Sequence, residues 1–358
     1  MKSYIVLKDG TTFEGVSHYL PGKALGEVVF YTGVVGYQET LTNPVYAGQI
    51  LTLTYPLIGN YGVNDEDFES PRVWPRALVA RDLSPIYSNF RAQASFDEFL
   101  EKNRIICIND VDTRALTIHL REHGEMTGIV ATDGSDPEKL KKELAQSASP
   151  YSQNLAAETG AQEIREGNTS GKHKIAIVDF GIQKSLLGQL RDLEASWFCC
   201  PPGSSPEKIL AQNPDGILLS GGPGDPEKLP DSVQTIRSLL GKKPIFGIGL
   251  GHQLLARAGG ARTFRMKLGH RGVNYPVVET GKKQSLITSQ HHSFCVDAQS
   301  LPRNLAVTHT HLNDKTIEGI AFTDQPAFSI QFFPARDESY RPNPCLEKFM
   351  QMLGSGKS

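Results

Sequence analysis

Short apolar runs broken by glycine and proline alternate with helical spacing along the chain, and the pattern changes character near its middle. In the first part, apolar residues at 5–7, 28–31, 50–54 and 78–80 lie between glycine and proline turns, which predicts strands. Ser95-Phe96-Asp97-Glu98 has the spacing of a capping box and predicts a short helix through Leu100. Asp112 is placed to cap a second helix, in which Leu116, His119 and Leu120 fall at helical spacing. Asp136-Pro137-Glu138 starts a third, since proline suits a first turn, and Leu140 and Leu144 share one face. A mixed α/β domain over 1–146 is expected.

Residues 147–172 are small and polar without sustained periodicity (Ser147, Ser149, Ser152, Gly160, Asn168, Ser170, Gly171), the composition of a linker. A second domain is expected over 173–354. Its apolar runs at 174–178, 197–200, 216–219 and 244–248 lack polar alternation and so predict strands buried on both faces. Leu186, Leu187, Leu190 and Leu193 mark a helix between the first two. Strands alternating with helices predict a mostly parallel sheet covered on both sides, whose ligands gather at the carboxyl ends of the strands.

Composition narrows the function classes. Thirty-seven basic residues against 39 acidic ones give a net charge of −2, far from the positive field of a nucleic-acid binder. Short runs such as Lys139-Leu140-Lys141-Lys142 and Lys282-Lys283 are ordinary solvated surface. No stretch approaches the ~18 apolar residues of a membrane span. The amino terminus leads directly into a strand and an Asp9-Gly10 turn, so no cleaved leader is expected. Five cysteines, two of them adjacent, form no disulfide framework, and a reducing cytoplasm fits. No His/Cys/acid cluster has metal-ligand spacing, so no metal site is expected, and His291 and His292 are expected to be solvated loop histidines. Cys199, Cys200 and Cys295 are expected to be small buried hydrophobes rather than nucleophiles.

The most informative stretch is Pro244-Ile245-Phe246-Gly247-Ile248-Gly249-Leu250-Gly251-His252-Gln253. An apolar run feeds a glycine-rich turn, and Gln253-Leu254-Leu255-Ala256 opens a helical pattern, the layout of a nucleophile elbow. A dinucleotide fingerprint fails, because His252 stands where the third glycine belongs and the acidic residue about 20 positions on is absent. A plain turn that needs glycines for close packing is the bland alternative. The residue at the tip, Gly249, has no side chain to present.

Gly-Ile-x-Leu-Gly-His-Gln closely resembles the signature of class I (triad) glutamine amidotransferases, in which x is the cysteine that attacks glutamine. The wider resemblance is to the small chain of carbamoyl phosphate synthetase. It is carried by Gly26-Glu27-Val28-Val29-Phe30, Gly36-Tyr37-Gln38-Glu39, Thr54-Tyr55-Pro56-Leu57-Ile58-Gly59-Asn60, Arg81-Asp82-Leu83, Ser88-Asn89-Phe90-Arg91 and Asp112-Thr113-Arg114-Ala115-Leu116 in the first half. Asp179-Phe180-Gly181, Gly222-Pro223-Gly224-Asp225-Pro226 and Gly269-His270-Arg271-Gly272 carry it in the second. The resemblance implies a family-specific amino-terminal domain and a class I glutamine amidotransferase-like second domain. It also implies a large synthetase chain as partner, with ATP and Mg bound on that chain only and no cofactor on this one. The family's large chain makes carbamoyl phosphate for arginine and pyrimidine synthesis.

In this family a cysteine thiolate attacks the glutamine side-chain amide, a histidine activates the thiol and a glutamate orients the histidine. The family's His-Pro-Glu follows a glutamine-aromatic pair; here the stretch is Gln331-Phe332-Phe333-Pro334-Ala335. Gly249, Phe333 and Ala335 therefore occupy the three triad positions. The glutamine pocket has changed too: Val45 stands for a serine, and His291 and Ser293 replace the gripping asparagine and glycine. Gly222, Gly224, Leu250, Gln253 and Phe294 remain at positions the family uses around the substrate. Loss of a nucleophile or its base alone can cost roughly 10^6 in turnover, and loss of both little more. The resemblance thus implies a small chain without glutaminase activity, in an ammonia-dependent or regulatory role. The alternatives are a diverged relative binding another metabolite or protein, and an altered enzyme using groups such as Arg336 and Asp337. The Phe333 ring is expected to occupy part of the old cleft.

Overall fold

The computed structural model describes residues 1–354, which form two compact units. The first comprises Met1–Leu155 together with Lys267–Gly272, and the second comprises Ala156–Met266 and the chain from Val273 on.

The first unit is built on a seven-stranded sheet. Its order is Thr12–Val16, Lys2–Leu7, Met126–Ala131, Lys23–Tyr31, Gln49–Leu53, Ala77–Val79 and Ile106–Ile108. The first three junctions are antiparallel and the last three parallel, so the last four strands all end at one edge. Alternate residues of these strands feed two cores. Val29, Leu51 and Leu78 pack with Phe96, Phe99 and Leu100, whereas Val28, Ile50 and Val79 pack with Leu116 and Leu120. All four predicted strands are present within a few residues of their expected bounds. So are the helices Phe96–Lys102, Thr113–His123 and Pro137–Gln146, and the Ser95/Glu98 capping box is complete.

A charged cluster lies inside this unit. Arg271 and Glu125 pair with side chains only 1% and 2% exposed. The Arg271 Nε donates to Gln49 Oε1 at 3.2 Å, the Gly269 N–H donates to Glu125 Oε1 at 3.0 Å, and the Glu125 N–H donates to Lys267 O at 2.9 Å. These bonds fix the 267–272 segment to a unit whose remaining sequence ends more than a hundred residues earlier.

The second unit carries a ten-stranded sheet. Its parallel half runs Ala195–Cys200, His173–Val178, Gly216–Leu219, Ile245–Ile248 and Ala327–Ile330. Both faces of this half are covered, as expected. Ala176, Val178, Ile217 and Ile245 pack on one side with Ile236, Leu239, Leu254 and Leu255; Ile175, Ile177, Leu218 and Phe246 pack on the other with Leu186, Leu190, Leu346 and Phe349. The other half, formed by Ile317–Phe322, Ser285–Val296, Thr263–Glu279 and Leu305–His311, is antiparallel, and the sequence pattern points only to a strand near Cys295.

The 147–172 stretch is largely exposed, most of all from 162 on, but carries local structure. It contains the helix Ala156–Thr159 and the strand Arg165–Glu166, which pairs antiparallel with Phe198 and Cys199. The Thr159 hydroxyl donates to Phe180 O at 2.6 Å, and Arg165 lies 3.6 Å from the buried carboxylate of Asp179.

Removing one member of a buried ion pair strands the other charge, which typically costs about 3–5 kcal/mol. Arg271→Met is expected to destabilise the chain by that amount in urea unfolding, and Arg271→Met with Glu125→Leu by clearly less. Equal losses would show that the pair is not what holds the segment.

Candidate functional site

The strand Ile245–Ile248 is wholly buried and ends at Gly249, after which the helix Leu250–Ala258 begins at once. The helix opens three residues before the periodicity alone suggested. Gly249 has φ 55° and ψ −112°, a conformation strained for any residue with a Cβ. Its N–H donates to Ile330 O at 3.0 Å, and the Gly251 N–H donates to Ser220 O at 3.1 Å. This is the geometry of a nucleophile elbow, with the turn clamped between two neighbouring strand ends.

The glycines around the turn differ in kind. A Cβ at Gly251 would stand 2.3 Å from Leu219 O, one at Gly247 2.7 Å from Gly251 O, and one at Gly222 2.4 Å from Phe180 O. Those three are required by close backbone approach. A Cβ at Gly249 would meet only Gly221 Cα at 3.5 Å and Gln331 O at 3.8 Å, ordinary contacts. The turn leaves room for a side chain at its tip that this sequence does not supply. Gly224 has φ +97° and Leu250 occupies the first helical position, whose N–H has no acceptor within the helix.

Buried amides line the elbow helix. Gln253 Nε2 donates to Phe294 O at 2.8 Å and to Gln331 Oε1 at 3.1 Å. Both amides are 3% exposed, and Gln331 Nε2 has no hydrogen-bond partner. Gln253 is thus engaged in holding the elbow helix to two strands. Gln331, which the sequence suggested only as the start of a motif, is its partner. His252, 0% exposed, places Nδ1 2.9 Å from Ser329 Oγ. Burial drives its pKa down to about 3, with His309 adding to the effect, so it is neutral and structural.

The residues following Gln331 carry no imidazole or carboxyl toward the turn. Phe333 is half-buried and packs against the core that contains Ile248 and Ile330, and its N–H donates to Ser289 O at 2.9 Å. Ala335 is exposed, and its carbonyl accepts from Asn343 Nδ2 at 2.9 Å. Arg336 is paired with Asp192 at 2.5 Å, and Asp337 with Arg341 at 2.7 Å, both at the surface. Val45, in the first unit, lies beside the Asn43 cap of Pro44–Tyr46 and packs partly against that unit's core.

The expectation of solvated loop histidines is incorrect. His291 and His292 lie on the strand Ser285–Val296, His292 being 7% exposed, with Ser293 and Phe294 also buried. The alternation of a strand, not a loop, sets their environment. His292 Nε2 lies 2.8 Å from Gln290 Oε1, and Gln290 Nε2 donates to Glu318 Oε2 at 2.7 Å. Cys295 Sγ is 3.7 Å from His292 Nδ1. A thiol, an imidazole and a carboxyl therefore meet, but within the core: Cys295 and Glu318 are both 0% exposed. Burial holds the Cys295 thiol well above its ordinary range, aided by the charges of Glu318 and Asp314, so it forms no usable thiolate. Cys199 and Cys200 are also buried, their thiols pushed up to about 11 and about 12.

Comparison with known proteins places this geometry in context. The model of the carbamoyl-phosphate synthase small chain domain matches residues 5–130, and that of class I glutamine amidotransferases matches 176–351. The carbamoyl phosphate synthase small chain of Syntrophotalea carbinolica is 41% identical, over 93% of this chain and 93% of its own. That of Streptococcus pyogenes is 42% identical over 99% and 98%, and that of Listeria monocytogenes 41% over 98% and 97%.

The chain belongs to the carbamoyl phosphate synthase small-chain family. Its two matched regions fall in the first and second units in turn, apart from the 267–272 segment. Among the described residues, no helix is long and apolar enough to cross a membrane.

Two stability predictions follow from the elbow region. Gly249→Ala is expected to destabilise by about 1–3 kcal/mol in urea unfolding, although space exists, because the backbone conformation is unfavourable for alanine. A neutral effect would mean that the turn relaxes. Burial pushes the Glu318 carboxyl from 4.5 up to about 8 despite hydrogen bonds from Gln290 and Thr316. The folded state therefore holds a proton that the unfolded chain releases, so this stabilisation is full below pH 4.5 and fades as pH rises through 8. Glu318→Gln is expected to flatten the fall in stability across that window, and an unchanged pH profile would contradict the assignment.

Proposed function

We propose that this chain is a small-chain subunit that docks on a large carbamoyl phosphate synthetase chain and hydrolyses no glutamine. The observation that carries this reading is the glycine at the tip of an otherwise complete elbow. The backbone still forms the sharp turn, its glycine-packed surroundings persist, and the tip is empty of a nucleophile. Phe333 and Ala335, at the positions of the family's base and orienting acid, can neither take a proton from a thiol nor orient an imidazole.

The chemistry is then straightforward. Amide hydrolysis at this site would require a thiolate to form a thioester and expel ammonia, and Gly249 has no atom with which to form that bond. Backbone N–H groups at the start of the elbow helix stabilise a developing oxyanion only after attack has occurred. What remains is at most on the order of 10^3–10^4 over water, too slow for an assembly turning over at the typical ~10 per second. The nitrogen would come from free ammonia delivered to the large chain, which would carry ATP and Mg. The surrounding residues support the same reading: Gln253 and Gln331 are tied to each other, and Arg336 and Asp337 are engaged in surface ion pairs.

The purified chain is expected to release no ammonia from glutamine. With its cognate large chain, carbamoyl phosphate is expected from ammonium and not from glutamine. Glutamine turnover by the chain near 10 per second would overturn the reading. Failure to bind any large chain would instead favour a relative that, through the changes at Val45 in the first unit and at His291, Ser293 and Phe333 in the second, holds another metabolite or partner. Gly249→Cys with Phe333→His and Ala335→Glu is expected to stay inactive, because the substrate grip has changed as well; full activity would refute that part.

A further inference from the structure

A cavity of about 190 Å³ opens in the first unit between the 63–71 loop, the 93–94 turn and one face of the helix Phe96–Lys102. Its floor is apolar: Val63 and Phe99 are buried, Phe68 and Ala94 half-buried, and the Phe68 and Phe99 rings lie 6.0 Å apart at 52°. Its rim carries the exposed charges of Asp65, Glu98 and Lys102. Drug-sized ligands fill pockets of roughly 300–1,000 Å³, so this volume suits a smaller molecule. Two carboxylates against one ammonium also disfavour a phosphate or any other multiply charged anion.

The walls are fixed by short-range hydrogen bonds. Asn64 Oδ1 accepts from the Glu66 and Asp67 N–H groups at 2.8 and 3.1 Å, and Val63 forms an antiparallel bridge with Ala94. The Asp65 N–H donates to Gln93 Oε1 at 2.9 Å, and Asn103 Nδ2 donates to Phe99 O at 2.8 Å. A cavity held open in this way costs little ordering when a ligand enters.

Two opposite charges on the rim are left over. Arg91 binds Glu66 and Asp67 at 3.0 and 2.6 Å and leaves Asp65, the next residue, without a cation. Lys102 stands four residues after Glu98, the spacing at which the two pair on a helix. Glu98 instead turns back to cap the helix, where Oε2 accepts from the Ser95 N–H at 2.8 Å and from Ser95 Oγ at 3.1 Å. Among the described residues neither Asp65 nor Lys102 has an ion-pair partner, and they do not pair with each other. A carboxylate and an ammonium that remain apart across an apolar floor complement a molecule with both charges and a short apolar body.

We propose that this cavity binds a small zwitterion, an α-amino acid with an aliphatic side chain. Its carboxylate pairs with Lys102, its ammonium pairs with Asp65, and its side chain lies against Phe68 and Phe99. The site belongs to the first unit alone and is independent of the elbow in the second.

Binding is read on the full chain by saturation-transfer NMR. The probes are L-leucine, isocaproate, which lacks the ammonium, and isopentylamine, which lacks the carboxylate. L-Leucine is expected to bind with a Kd on the order of 0.1–1 mM, as its small size dictates. Each analogue is expected to bind about 3–5-fold more weakly, the scale of one exposed ion pair. Asp65→Asn is expected to weaken L-leucine about 3–5-fold and to remove its advantage over isocaproate, and Lys102→Met is expected to do the same relative to isopentylamine. Ala94→Leu, which fills the cavity from its wall, is expected to abolish binding, and thermal melts confirm folding of each variant. No binding of L-leucine by the wild-type chain overturns the proposal. Binding that the Asp65 and Lys102 changes leave untouched also overturns it, since the amino acid would then sit elsewhere in the chain. Equal binding of either analogue overturns it as well, because the cavity would be indifferent to charge.

Discussion

The second unit depends on backbone packing at one turn. Glycines at 247 and 251 let the turn fold tightly on itself and against Leu219, and Gly222 lets the adjoining loop approach Phe180, each closer than a Cβ would allow. Two backbone hydrogen bonds, from Gly249 to Ile330 and from Gly251 to Ser220, then lock the turn between strands. Such a constraint belongs to the backbone and does not depend on the side chain at the tip. A Cβ at the tip would add backbone strain at Gly249 without meeting any obstructing atom.

Around the turn, packing is close, whereas the buried Gln331 Nε2 and His252 Nε2 have no hydrogen-bond partner. Phe333 places an aromatic ring against the core where an imidazole would need a polar partner, a change worth about 1.5–3 kcal/mol if the ring were fully buried. Gln253 binds Phe294 and Gln331, and His252 faces Ser329 through Nδ1. The thiol, imidazole and carboxyl of Cys295, His292 and Glu318 lie together yet sealed from solvent, and burial keeps both acids protonated more readily than usual. Proximity alone does not make a reactive site; access and a stabilised thiolate are also needed.

Much of this was legible in the residues. The capping box at Ser95, the Asp112 and Asp136 caps and the buried parallel strands follow from local chemistry and periodicity, and each lies close to its expected place. The elbow was legible from glycine spacing, but the reason for the glycines at 222 and 251 was not, because the carbonyls of Phe180 and Leu219, distant in sequence, impose it. Most of the antiparallel half of the second sheet escaped notice, since its long strands mix polar and apolar residues without clean alternation. His291 and His292 were assigned to a loop for the same reason. The membership of 267–272 in the first unit depends on Arg271 finding Glu125, a pairing across more than a hundred residues that no local pattern announces.

The central claim is that the elbow carries no nucleophile. It is tested most directly by intact-mass measurement after incubation with a glutamine-shaped electrophile that alkylates a thiol placed at such a turn. The predicted result is an unchanged chain mass under conditions that fully label a relative bearing cysteine at the elbow. A stoichiometric adduct on this chain, blocked by glutamine and mapped to the second unit, would contradict the account.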